Sequence, residues 1–411
     1  MYLPNKKSHN PWLELTLAVV INTCIGFAYA WSVFIHPLSN QFGWSLAAIS
    51  FTFTIIISMS SFLQLIAGKL MQYTSPKAVI FFGGIFAGAG VLGLSFMSSV
   101  SGMYLAAAAF GLGMALVYPS TVANTVKYFP NNRGMVTGLL AAGMGSGSIL
   151  WAPLAAKLID LGDVFFAFRV IGILLLVVIC GLSLLMKQMP EEDPAPKQSK
   201  GMEEGRGNPI AAGGNPIASN EKTWTEMLQS PTFFVLAILF VSGITSGMMV
   251  MSQASLVISD TLGYPAIKAA FFVGILSLCN TIGRAFWGML SDRIGRRRVY
   301  LFIFIALLIA DLALWRLTNE LVFLGALFTV GICYGGFMGT IGAVTADAFG
   351  VKNLGFKFGI MFMTVGIASI IGPLIASTIR SNYGSYAPSF GIAMALGLVG
   401  LVMSIRVSKI L

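Results

Sequence analysis

Apolar and polar positions along the chain fall into long apolar runs parted by short polar breaks. The runs lie at roughly 11–35, 47–71, 77–98, 102–127, 134–159, 164–187, 231–259, 267–290, 298–316, 320–347, 354–380 and 386–407. A helix needs about 20 apolar residues to cross the hydrocarbon core of a bilayer. The pattern therefore predicts an all-α membrane protein with twelve transmembrane helices, six before residue 190 and six after residue 230. Lys6 and Lys7 precede the first run and no small-residue cleavage site follows at the expected place, so that run is expected to be a retained span, not a removed signal.

The stretch at 189–226 breaks the rhythm. It opens with Glu191, Glu192, Asp193, Pro194, Pro196 and Lys197, and it holds a short duplication, Gly207-Asn208-Pro209-Ile210-Ala211 and Gly214-Asn215-Pro216-Ile217-Ala218. Such a segment cannot bury enough apolar surface to offset its ordering entropy. It reads as a flexible cytoplasmic linker between a six-helix bundle at 1–188 and another at 227–411.

Composition agrees with the pattern. Of the 411 residues, 56% are hydrophobic and only 10% charged, against about 25% charged in soluble domains. A net charge of +10 would point to nucleic acid in a soluble protein, but here placement matters more than the sum. With a cytoplasmic N-terminus, 19 of the 25 basic residues fall on inner loops and helix ends, the bias that sets membrane topology. Nucleic acid is excluded as a partner, the lipid bilayer is the expected one, and both termini are expected in the cytoplasm. Cys24, Cys180, Cys279 and Cys333 all sit inside apolar runs without metal-ligand spacing, so neither a metal nor a cofactor is expected.

The segment Gly288-Met289-Leu290-Ser291-Asp292-Arg293-Ile294-Gly295-Arg296-Arg297-Arg298 follows the eighth run. It resembles the cytoplasmic loop signature of the major facilitator superfamily. On physical grounds, Asp292 at a helix end with Arg293, Arg296 and Arg297 close by can latch neighbouring helix ends in one conformation and release them in another, with Gly288 as the small residue of the pattern. The corresponding place after the second run, 220 residues earlier, reads Gly68-Lys69-Leu70-Met71-Gln72-Tyr73. Gln72 stands where the second half has Asp292, so the latch is expected to be asymmetric. Two such halves with a site between them at the midplane is a known transporter plan.

Arg284 lies within the eighth run, and Asn280 is one turn before it on the same helix face. A charge inside the membrane costs about 2.5–3.5 kcal/mol on insertion scales, so such residues face the interior and are usually functional. Arginine presents a planar fork that matches a carboxylate. Arg284 is thus the candidate substrate ligand; the competing reading is a structural ion pair with a distant acid such as Asp311. Tyr29, Trp31, Tyr118, Tyr334, Phe337 and Phe362 are candidates for the rest of a small pocket with an apolar wall and a few hydroxyls. The glycines at 143, 145 and 147 sit within an apolar run with no strand before them, so they read as close helix packing and not as a phosphate loop. Glu14, Lys69 and Asp347 are expected to snorkel near helix ends, Arg169 to pair structurally in the sixth run, and His36 to be capped in an outer loop.

Several segments carry a closer resemblance. Tyr29-Ala30-Trp31-Ser32-Val33-Phe34 with Pro37-Leu38, Lys127-Tyr128-Phe129-Pro130-Asn131-Asn132-Arg133-Gly134, Gly283-Arg284 with Phe286-Trp287-Gly288, and Asp347-Ala348-Phe349-Gly350 resemble the oxalate/formate antiporter family, which is close to the monocarboxylate transporters. The resemblance runs nearly the whole length outside the linker. It implies the major facilitator fold, a role for Arg284 on the substrate carboxylate, and Tyr29, Tyr118 and Tyr334 lining the site. That family has a second cation, a lysine, in the eleventh helix, where this chain has Val365. One cation favours a singly charged acid. The expected function is alternating-access transport of a lactate- or pyruvate-like monocarboxylate with proton symport. The alternative is carboxylate exchange, with a cation or drug exporter and a non-transporting sensor further behind. No catalytic constellation appears, so no enzyme is expected. The partners are a small organic anion and a proton or counter-anion; the chain is expected to act as a monomer in a bacterial inner membrane.

Overall fold

The structure, a computed structural model, describes residues 10–188, 221–316 and 319–407. Among these residues, twelve helices are long and apolar enough to cross a membrane: Pro11–Ala30, Ala48–Tyr73, Pro76–Phe96, Val100–Tyr128, Arg133–Leu161 and Val164–Leu185, then Pro231–Leu262, Phe271–Ile294, Arg296–Arg316, Glu320–Phe349, Leu354–Tyr383 and Ala387–Arg406. They are called the first to twelfth spans in chain order. The chain is an integral, multi-pass membrane protein.

Local chemistry explains most boundaries. Ser45, Ser75, Ser99, Asp163, Ser230 and Asn319 each accept a backbone N–H of the helix they start, which satisfies donors that have no partner inside the helix. Between the eighth and ninth spans a single residue makes the turn. Gly295 has φ of 90°, a region that side chains with a Cβ rarely adopt.

The first run departs from expectation. Its α-helix ends at Ile25, a 3₁₀ turn occupies Gly26–Ala30, and a separate helix follows at Ser32–Phe42. The break coincides with a close approach, because a Cβ on Gly26 would lie 2.3 Å from the Met144 carbonyl oxygen. His36 accordingly sits exposed within a helix and not in a loop.

The expected linker spans 189–226, and 189–220 lie outside the described residues. Residues 221–226 pack against the second half. Thr223 and Glu226 form a reciprocal capping box on a short helix, Trp224–Gln229. Glu221 accepts the backbone N–H of Val351 at 2.9 Å and is paired with Lys357 at 3.4 Å. The other end is held as well. Glu14 is fully buried and accepts the backbone N–H of Lys187 at 2.9 Å, while Tyr128 donates to the Lys187 carbonyl at 3.0 Å. Glu14 therefore does not snorkel. Arg169, expected to pair in the bundle, is instead exposed.

The two halves meet along glycine-lined seams. A Cβ on Gly288 of the eighth span would lie 2.4 Å from the Gly134 carbonyl oxygen of the fifth, and one on Gly68 of the second span 2.2 Å from Phe356 Cα of the eleventh. Small residues allow membrane helices this approach. On its other side the eighth span meets the tenth, where a Cβ on Gly339 would lie 2.2 Å from the Arg284 carbonyl oxygen.

Candidate functional site

Arg284 stands where these seams cross. Its side chain is fully buried. Nε donates to Asn280 Oδ1 at 3.2 Å, so the asparagine one turn earlier orients the fork. Nη1 crosses to the other half and donates to the Ala141 carbonyl of the fifth span at 2.8 Å. Nη2 has no hydrogen-bond partner. Cζ lies 5.6 Å from the centroid of the Tyr29 ring, a cation–π distance. Tyr334 and Tyr118 also stand within electrostatic reach of the guanidinium.

Among the described residues no acid forms an ion pair with Arg284. Asp311 is buried in the ninth span and accepts from Ser246 of the seventh at 3.1 Å. The structural pair between Arg284 and Asp311 therefore does not form. A buried guanidinium with one unpaired donor and no counter-ion has the chemistry to take an anion.

The predicted aromatics divide. Tyr118 of the fourth span meets Phe362 of the eleventh edge-on at 5.8 Å, and Phe358 at 5.6 Å, so these rings close the seam between the halves. Tyr334 packs against Gly247, and its hydroxyl lies 3.8 Å from Met248 Sδ. Trp31 and Phe337 are not brought to Arg284. Trp31 donates to the Ile49 carbonyl at 2.9 Å and stacks on Phe168. Phe337 stacks on Tyr300 at 6.2 Å and lies 5.2 Å from Phe304, inside the second half. Apolar rings at the same depth as the site gain more area by packing into their own bundle. Val365 is buried and brings no second cation to the eleventh span at that position.

At one end of the molecule lies the charged cluster of the predicted latch. Asp292 reaches the other half and accepts the backbone N–H groups of Gly134 at 2.8 Å and Met135 at 2.6 Å. Asn132 precedes this helix and makes no side-chain cap, so Asp292 supplies the cap in its place. It also meets the positive end of the helix dipole. Arg296 pairs with Asp292 at 2.8 Å and with Asp347 at 3.0 Å, and it also donates to Ser291. Arg133 pairs with Asp347 at 3.0 Å. Two expectations change here. Arg293 and Arg297 are exposed and stand outside this bonded cluster, because the turn at Gly295 aims Arg296 inward and its neighbours out. Asp347 does not merely snorkel: it joins Arg133 to Arg296 across the halves. Both residues fall in segments that carry the family resemblance, which was the available signal for them.

The comparisons with known proteins converge on this architecture. The family model described as Major Facilitator Superfamily matches residues 15–286 and 249–409. The chain belongs to the major facilitator superfamily. It is 27% identical over 380 residues to the oxalate:formate antiporter of Oxalobacter formigenes, covering 91% of this chain and 86% of that one. It is 26% identical over 369 residues to the uncharacterized MFS-type transporter YhjX of Escherichia coli (strain K12), covering 89% and 88%. Monocarboxylate transporter 12 of Rattus norvegicus is 24% identical over 383 residues, covering 88% and 78%. Among solved structures, the superfamily transporter FucP in the outward conformation superimposes with a TM-score of 0.72 at 14% identity, covering 95% of this chain and 98% of that one. These relatives are transporters and not enzymes.

Proposed function

We propose that the chain carries a small monocarboxylate anion across the membrane by alternating access, with Arg284 as the residue that holds the carboxylate. The observation that carries this reading is the fully buried guanidinium with Nη2 open and no acid beside it. Asn280 orients the fork, and Tyr29, Tyr118 and Tyr334 surround it. A single cation favours an anion of one charge, because a second uncompensated carboxylate at the midplane would be costly. The antiporter and monocarboxylate-transporter relatives support a carboxylate substrate.

The basic bias of the loops supports placing the latch end in the cytoplasm, in a plasma membrane with both termini inside. In that orientation the described conformation is closed to the cytoplasm.

For coupling, exchange of one anion for another fits the site better than proton symport. The position one turn before Arg284 holds an amide, Asn280, which cannot carry a proton at physiological pH. An unloaded carrier would also have to reorient with an uncompensated buried charge. The test is transport of labelled L-lactate in proteoliposomes, with and without an inward proton gradient and with and without internal L-lactate, pyruvate, formate or oxalate. Uptake that needs an internal anion and is lost in Arg284→Gln is the expected result. Uptake driven by the gradient alone would establish symport, and transport that survives Arg284→Gln would overturn the role of Arg284.

A further inference from the structure

The three glycines in the middle of the fifth span serve two purposes. A Cβ on Gly143 would lie 2.9 Å from the Val19 carbonyl oxygen, and one on Gly147 would lie 2.4 Å from the Gly26 backbone. Both make room for the first span within the same half. Two residues along a helix turn by about 200°, so Gly145 faces the opposite way. A Cβ there would sit 3.2 Å from both Cζ and Nη1 of Arg284 and 3.0 Å from Thr281 Oγ1. Ala141, four residues earlier on the same face, supplies the carbonyl that takes Nη1 at 2.8 Å. Ala141 and Gly145 together form a seat for an arginine that belongs to the other half.

We propose that Gly145 is a positioning residue whose notch seats the unloaded Arg284 on the Ala141 carbonyl, and that the substrate carboxylate takes Nη1 from that carbonyl when it binds. The inference rests on the reading of Arg284 as the substrate's cation. A carboxylate held by a guanidinium fork uses two adjacent N–H groups. Nε is engaged by Asn280 on its own helix, Nη1 by Ala141, and Nη2 by nothing. Nη1 carries two N–H groups, and a carboxylate that bridges Nη1 and Nη2 draws the fork toward itself and competes with the Ala141 carbonyl for Nη1. Asn280 moves with Arg284 as one helix, whereas Ala141 belongs to the other half, so substrate binding removes a bond between the halves. The empty carrier is held and the loaded carrier is freed, which makes exchange fast and net one-way flow slow. A ligand shifts a conformational equilibrium only through such a difference between states.

The experiment measures efflux of labelled substrate from proteoliposomes into buffer with and without the same unlabelled substrate outside, using whichever of L-lactate, pyruvate or formate the wild type exchanges. Gly145→Ala, whose methyl makes the guanidinium give by a few tenths of an ångström and so weakens its seat, is expected to raise the ratio of net efflux to exchange about tenfold, a difference of about 1.4 kcal/mol between the two paths. Ser146→Ala, which does not touch Arg284, is expected to keep the wild-type ratio. A Gly145→Ala protein that exchanges with an unchanged ratio overturns the proposal. Should that variant not fold, thiol labelling decides. In a background with the four native cysteines replaced by alanine, saturating substrate is expected to speed alkylation at Thr281→Cys, beside the seat, and no change overturns the proposal. Arg284→Gln run in parallel separates the two ideas. Loss of transport in it with a flat Gly145→Ala ratio leaves Arg284 as the ligand and removes only the seat. Normal exchange in it, or no exchange of any of the three acids by the wild type, removes both.

Discussion

Two groups of charge join the halves, and they are built on opposite rules. In the latch each charge meets an opposite one: Asp292 with Arg296, and Asp347 with both Arg296 and Arg133. Asp292 spends its remaining capacity on two backbone amides of the other half. At the midplane Arg284 has no acid and keeps one donor open. The latch also keeps one donor unpaired, Arg133 Nε, but every charge in it has its opposite, so its energy goes into holding one conformation. An unsaturated buried cation is costly until an anion arrives, so its energy is available for binding. The two regions share two helices, the fifth and eighth spans. What one binds therefore bears on whether the other holds.

Four variants break or sharpen that contrast. Arg284→Gln is expected to have the largest effect, lowering exchange by about 100-fold or more, since two charge-assisted hydrogen bonds of roughly 1.5–3 kcal/mol each are lost. Labelled-substrate exchange in proteoliposomes measures it, and residual activity above a tenth of wild type would contradict the midplane half of the comparison. Asp292→Asn should weaken the latch by about 2 kcal/mol, through lost ion pairing and helix-end stabilisation. This shifts the conformational equilibrium roughly 30-fold toward the open latch, read as faster alkylation at Thr137→Cys in the same seam. Substrate affinity of the remaining closed form should not change.

Trp31→Phe removes one hydrogen bond to Ile49, worth about 1 kcal/mol. It should lower the melting temperature by a few degrees with transport KM unchanged; a raised KM would return Trp31 to the site. Arg297→Gln should have the smallest effect, within about 0.5 kcal/mol, because an exposed charge contributes little to either state. A labelling rate at Thr137→Cys that moves with this substitution would mean that the latch extends beyond Asp292, Arg296, Arg133 and Asp347.

The sequence by itself determined the twelve spans, most of their limits, the charged turn at Gly288 to Arg298 and the buried cation at 284. These are local properties. Transfer of an apolar run into a bilayer depends on the residues of that run, and a charge within it stands out from the run alone. Tertiary structure alone decided the partners. Ala141 takes part through its backbone, which carries no signal in residue type, and Gly145 differs from Gly143 and Gly147 only in the side of the helix it faces. Trp31 and Phe337 could not be told from Tyr29 and Tyr334 by position in their runs, because the turn at Gly26–Ala30 and the packing of each bundle set which rings face the centre. The same holds for Asp292, whose capping partner lies 158 residues away in the other half. Pairing over such distances follows from how closely the glycine faces let the helices approach, and that is a property of the assembled bundle.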